Sequence, residues 1–204
     1  MTLSKNMHGL PYANINLRFN PFGELNPDER QQLACVDISG LAQFLSVPRT
    51  AVQFLADHGR GKTTHLLALH KQCTSFPYIK LHQGDRPSFD RSSGCFIDSI
   101  ENLSLFKRLT LYRRFDHLAV TTHRDLSTEM KLLGLRVKTI EVSVTQVGTL
   151  QKIFQQRVEY ARRSEGETPE ISLSRIKELQ WKHGDDIRAM EAELYDYFDL
   201  LRSK

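Results

Sequence analysis

A chain of 204 residues and 23.5 kDa holds one sizeable core, or one core with a small helical appendage, and excludes a large multidomain machine. Apolar residues at 40%, charged at 25% and aromatic at 9% exclude wholesale disorder and collagen-like repetition. A net charge of only +4 permits nucleic acid without implying it. The cysteines Cys35, Cys73 and Cys95 form no CxxC pair, so neither a disulfide framework nor a cysteine zinc site is expected, and a reduced, cytoplasmic setting fits. No apolar run approaches the roughly 18 residues of a membrane span, and the first residues lack the apolar centre of a signal peptide. A soluble, unexported protein is expected.

Residues 1–24, rich in Asn, Pro and Gly, read as an extended arm that packs Phe19, Pro21 and Phe22 onto the body. Pro27-Asp28-Glu29 opens a helix, and Ile38 to Leu45 forms a second one that stops before Pro48. From residue 51 to 143 short apolar runs alternate with helical patterns: AVQFLA (51–56), PYIKL (77–81), GCFID (94–98), HLAVTT (117–122) and VKTIEVSV (137–144). Five such runs argue a parallel sheet covered on both faces. The helix between the third and fourth runs carries Leu105, Leu109 and Tyr112 on one stripe, with Lys107 and Arg114 turned outward. Beyond residue 144 the strand signal ends. Val147, Leu150, Phe154, Val158 and Ala161 mark one helix, and Leu173, Ile176 and Leu179 a second. After Gly184, Asp185 or Asp186 caps a third, with Ile187, Met190, Leu194, Tyr197 and Leu201 on its stripe.

The strongest chemical signal is Ala56-Asp57-His58-Gly59-Arg60-Gly61-Lys62-Thr63-Thr64, set between an apolar strand and the helical pattern HLLALHKQC. It is the phosphate loop GxxxxGK[ST] with alanine at its first glycine, in the context that the pattern requires. Gly59 and Gly61 let successive backbone N–H groups face phosphate oxygens, and the helix that follows adds the positive end of its dipole. Lys62 reaches the β- and γ-phosphates and the Thr63 hydroxyl can ligate Mg²⁺. The second signal is Cys95-Phe96-Ile97-Asp98, an apolar strand that ends in a carboxylate. At the carboxyl edge of the same sheet, Asp98 can hold a water of the Mg²⁺ shell.

With these motifs in this order the chain resembles the AAA+ ATPases of the P-loop NTPase class over roughly residues 17 to 202. The resemblance implies an α/β fold: a five-stranded parallel sheet of order 5-1-4-3-2 within residues 1–144, which include the N-terminal arm, followed by a helical lid over 145–204. In that family the strand-end Asp is followed by a catalytic Glu, whereas here Asp98 is followed by Ser99-Ile100-Glu101. Serine is no general base at neutral pH, so either Glu101 substitutes from the following turn or hydrolysis is slow or lost. Glu101 also suits a plain first-turn helix position. Thr122 and His123 fall at the family's polar sensor position, where His123 could orient water or touch the γ-phosphate. Arg188, in Gly184-Asp185-Asp186-Ile187-Arg188, falls near its lid arginine, which faces the phosphates. Arg136 and Arg124 are alternatives for an arginine acting across subunits. Asn20-Pro21-Phe22 resembles a segment near adenine in the initiator, transposition and secretion branch. The segment HQGDRPSFDRS between the second and third runs leaves little room for the family's intervening helix, and no pore loop or winged-helix module is apparent.

The expected activity is therefore Mg²⁺-dependent ATP binding with slow hydrolysis, and the expected partners are ATP and ADP, a further protein and a second copy of the chain, with no membrane. The adenine preference comes from the family, since the chain has no guanine-reading Asn-Lys-x-Asp. Two alternatives stay open. One is a nucleotide-gated interaction module that needs no turnover, which Ser99 favours. The other is a DNA-associated loader or transposition regulator, supported only by Lys107, Arg114 and the neighbourhood Arg108 to Arg113.

Overall fold

In the computed structural model, which describes residues 11–89, 92–143 and 146–203, the apolar runs form one parallel sheet. The first two helices are α1 (Pro27–Gln32) and α2 (Leu41–Leu45). Strand β1 (Thr50–Leu55) leads into α3 (Lys62–Gln72), and β2 (Tyr78–Lys80) and β3 (Gly94–Asp98) follow. Then come α4 (Leu105–Arg114), β4 (His117–Thr122), α5 (Ser127–Leu132) and β5 (Arg136–Glu141). Every pairing is parallel and the order is β2-β3-β4-β1-β5, the expected order read from the other edge. Of the expected arm, residues 1–10 lie outside the described residues, as does Val144 at the end of the fifth run.

Alternation along the strands explains the doubly covered sheet. Ala51, Cys95, Ile97, Leu118 and Val120 point into one cluster with Leu111 and Tyr112 of α4 and Met130 of α5. Val52, Phe54, Phe96 and Ala119 point into the other, with Leu41 and Leu45 of α2 and Leu66 and Leu69 of α3. Such runs are apolar on both faces, which is why they read as continuous rather than alternating. Gly94 opens β3 because nothing larger fits: a Cβ there would stand 2.8 Å from the His117 carbonyl oxygen and 2.9 Å from the Phe76 ring. Asn26 starts α1 with a capping box, its side chain accepting from the Glu29 amide while the Glu29 carboxylate accepts from the Asn26 amide, each at 2.9 Å. Between β2 and β3 the described residues contain no helix, as the short segment implied. Phe89 fills the space instead, edge-on to Phe115, and its carbonyl accepts from Arg114 at 2.8 Å.

The face of α4 differs from the periodic expectation. Leu105 is 47% exposed, and the buried positions are Arg108, Leu111 and Tyr112. The rotation is set by Arg108, whose guanidinium grips both Glu129 oxygens, at 2.9 and 2.7 Å, and donates to the Leu103 carbonyl at 2.7 Å. Periodicity assigns arginine to the surface, and a bidentate partner on α5 reverses that. The same pairing removes Arg108, 5% exposed, from the basic surface offered to nucleic acid.

The chain divides into two units, Asn26–Val144 and Met1–Leu25 with Thr145–Lys204. The second contains α6 (Val147–Ala161), α7 (Leu173–His183) and α8 (Ile187–Leu201). Its buried residues include Leu150, Phe154, Val158 and Ala161 of α6, Ile176 and Leu179 of α7, and Met190, Leu194 and Phe198 of α8. Phe198 rather than the expected Tyr197 faces inward on α8. The N-terminal segment packs here, whereas the sequence reading grouped it with the sheet. Leu17 is buried and bridges to Arg162, the Arg18 amide donates to the Ala161 carbonyl at 2.8 Å, and Phe22 lies against Phe154 and Phe198. Of the residues expected to anchor the arm, Phe22 and Pro21 are buried and Phe19 is exposed. No helix among the described residues is long and apolar enough to cross a membrane.

Arg157 of α6 locks this segment in place. Its buried guanidinium donates to the Pro21 carbonyl at 2.7 Å, to the Gly23 carbonyl and to Glu191 of α8. Removing one partner of a buried ion pair strands the other. Arg157→Ala is therefore expected to cost about 3–5 kcal/mol, measured by urea denaturation. A loss below about 1 kcal/mol, the worth of an exposed pair, would contradict the assignment.

Candidate functional site

The site forms where β1 gives way to α3. Gly59 and Gly61 both have left-handed backbones, with φ of 78° and 87°. A Cβ on Gly61 would meet nothing within 4 Å, so the glycine answers to its backbone angle rather than to crowding. The loop delivers Lys62 and Thr63 to the first turn of α3 at the carboxyl edge of the sheet. Lys62 is only 9% exposed, and its ammonium donates to the carbonyls of Ala56 at 2.8 Å and Asp57 at 2.6 Å and stands 3.2 Å from His123 Nδ1. Arg60 reaches back to the exposed Asp57 carboxylate at 3.2 Å, and Thr64 sits half-buried on the same turn.

Asp98 ends β3 and is 2% exposed. Hydroxyls compensate for the water it loses: Thr63 donates at 3.0 Å, Tyr78 at 3.2 Å and Thr121 at 2.5 Å. Burial, and then the negative charge of Asp98, push the Tyr78 phenol above its ordinary range. Thr121 also accepts the Ser99 amide at 2.7 Å. The hydroxyl that faces Asp98 is thus that of Thr121, while the hydroxyl of Thr122, at the expected sensor position, donates to the Arg124 carbonyl at 2.8 Å. Strand alternation is the reason: pairing sets Thr121 beside Phe54, and one step along the strand turns the side chain to the other face.

Glu101 lies on a turn of 3-10 helix, Ile100–Asn102. Its Oε1 is 3.4 Å from His123 Nε2, and its Oε2 is buried with no hydrogen-bond partner among the described residues. Burial raises the Glu101 pKa, against the opposing charge of Lys62. Burial lowers that of His123, helped by Lys62 and His58. The exposed His58 ring packs on His123 with centroids 3.8 Å apart.

The expected residues of the phosphate loop, Asp98, Glu101 and His123 therefore converge on one edge. Arg188 is exposed on the first turn of α8 in the other unit. Arg124 and Arg136 are exposed at the start of their segments, Arg136 over the Phe44 ring. Sequence reasoning missed Tyr78, Thr121 and Gln53. Gln53, fully buried in β1, donates to Asp125 at 2.7 Å and Thr139 at 3.0 Å and accepts from the Leu126 amide at 2.8 Å, bracing the loop that carries His123. Its signal was one amide inside AVQFLA.

No group of three or more His, Cys, Asp or Glu side chains among the described residues could hold a metal alone. Mg²⁺ does not require one, since it keeps several waters and takes one or two protein oxygens together with substrate phosphates. Thr63 and Asp98, in mutual contact, supply hard oxygens of that kind. A hollow of about 450 Å³ in the helical unit, lined by Glu170, Ser172, Ser174, Arg175, Glu178 and Tyr197, has carboxylates around one guanidinium and no comparable loop.

No family model and no curated protein matches the chain. Among solved structures it is similar to a variant of RuvB from Thermotoga maritima, with 17% sequence identity and a TM-score of 0.40, covering 92% of this chain and 72% of that one. A likeness of that size carries no argument about this site. The side-chain geometry does.

The contrast between neighbouring threonines is testable. Thr121→Val, close in shape, removes a hydrogen bond to a charged group and is expected to cost about 1.5–3 kcal/mol. Thr122→Val loses a neutral bond and should cost about 1 kcal/mol or less. Chemical denaturation of both variants checks the order, and equal losses would contradict the pairing of Thr121 with the buried carboxylate.

Proposed function

We propose that the chain is an AAA+-like nucleotide-binding protein that takes up ATP with Mg²⁺ and hydrolyses it slowly. The observation that carries this reading is the start of α3 beside the buried Asp98. Glycine-permitted backbone, Lys62, Thr63 and a strand-end carboxylate occupy one edge of a parallel sheet of the expected order. Loop amides and the Lys62 ammonium would receive the phosphates. Thr63 and Asp98 would hold Mg²⁺, which supplies charge neutralisation between phosphate oxygens. With Ser99 at the family's base position, Glu101 is the carboxylate available to accept a proton from water, and its burial, which raises its pKa, makes it a stronger base than an exposed carboxylate. Arg188 is proposed as a phosphate contact from the helical lid, residues 145–204.

A second reading has its own support. Ser99 leaves the usual base position empty of a carboxylate, which favours a nucleotide-gated module that signals to a protein partner or a second copy of the chain without turnover.

At about 100 times the dissociation constant, Mg·ATP is expected to stabilise the protein by ~2.7 kcal/mol, read as a rise in melting temperature. Lys62→Ala should abolish most of the rise, measured from its own unliganded melt, and leave the unliganded fold intact, and equal rises in both proteins would refute the nucleotide site. Glu101→Gln separates the two readings. Loss of residual ATPase with binding intact identifies the base, while no turnover in either protein supports the gated module.

A further inference from the structure

The His123 ring stands between an ammonium and a carboxylate. Nδ1 lies 3.2 Å from Lys62 Nζ, and Nε2 lies 3.4 Å from Glu101 Oε1. An ammonium has donors and no acceptor, so Nδ1 must meet it with a lone pair. The ring is then neutral, with its one proton on Nε2, facing Glu101. Lys62 also donates to the Ala56 and Asp57 carbonyls. An ammonium that turns toward an anion takes the donor away from Nδ1. The Ala56 carbonyl also favours the protonated ring as an acceptor, and it is one of the groups that Lys62 would release.

We propose that His123 is a positioning residue that couples anion binding at the phosphate loop to Glu101. A phosphate that draws Lys62 away lets Nδ1 take a proton from solvent, and the imidazolium then holds Glu101 as an ionised carboxylate with Oε2 left to accept. The inference rests on the phosphate-binding reading and deepens it. The groups that act on the ring come from every side: Lys62 from α3, His58 and Asp57 from the phosphate loop, and Glu101 from the 3-10 turn, itself acted on by Asp98 and Arg124. Burial opposes protonation of the ring most, Lys62 next and His58 after it, whereas the Ala56 carbonyl and Asp57 favour it. Neutralising Lys62 with a phosphate removes the leading charged opponent. The sign follows: binding raises the His123 pKa, so ATP binding consumes protons between the two midpoints and tightens as pH falls through that window.

Calorimetric titration with Mg·ATP at pH 7, in two buffers of different ionisation enthalpy, counts the protons. Wild type is expected to take up a fraction of a proton more than His123→Asn. Imidazole NMR on the wild-type protein should show His123 as the Nε2–H form, with a midpoint that moves to higher pH by about one pH unit on adding ATP, and in Lys62→Met without any nucleotide. Equal proton counts, with ATP bound by both proteins, would overturn the coupling and leave the phosphate site standing. An unmoved midpoint in both NMR arms would do the same. If ATP gives neither heat nor a melting shift, the phosphate-binding reading fails and the coupling fails with it.

Discussion

A carboxylate buried at the end of a strand costs several kcal/mol unless hydrogen bonds replace its lost water, and Asp98 draws those bonds from three separate elements. Thr63 comes from the start of α3, Tyr78 from the edge strand β2, and Thr121 from β4. One charged group thus ties the sheet edge to the helix that follows the phosphate loop. Thr121 passes the constraint on, because the oxygen that donates to Asp98 also accepts the Ser99 amide and so fixes the turn that leads to Glu101. Disturbing the carboxylate would loosen the loop side and the Glu101 side together.

Parallel topology makes that economy available. With every strand running the same way, the ends of β1, β3 and β4 lie at one edge, where the loops that leave them meet. Two buried polar networks hold the meeting point, on opposite faces. Asp98 works on the face shared with α3, and Gln53 on the face shared with α5, where it ties the loop after β4 to the centre of the sheet. His123 lies between residues anchored by both, since Thr121 precedes it and Asp125 follows it.

Much of this was legible in the sequence because the strands are apolar on both faces and the phosphate loop is local. β4 was bounded to the residue by HLAVTT, and Asp98 was marked by the end of GCFID. What the sequence concealed was long-range pairing. Nothing local in LFKRLTLYRR tells that Arg108 turns inward, because its partner Glu129 lies on another helix. Tyr78 looked like ordinary strand aromatic content until β2 paired in register with β3 and set its hydroxyl against Asp98. The arm before residue 26 could be seen to pack, but Arg157, the residue that holds it, sits among helical residues with no mark of burial.

Position 99 shows how backbone and chemistry are linked on the proposed reading. Ser99 has φ of 64° and ψ of 53°, a left-handed conformation that costs a residue with a side chain about 1–2 kcal/mol. The hydrogen bond that the Ser99 N–H donates to the Thr121 hydroxyl helps offset that cost, and it exists because β3 ends one residue earlier at Asp98. The left-handed step turns the chain sharply into the 3-10 helix and brings Glu101, two residues on, back to His123 at the sheet edge. A carboxylate at 99 would have to adopt the same strained backbone with a longer side chain. Glu101 reaches the edge from a residue of the helical turn, and its position follows from the geometry that holds Asp98.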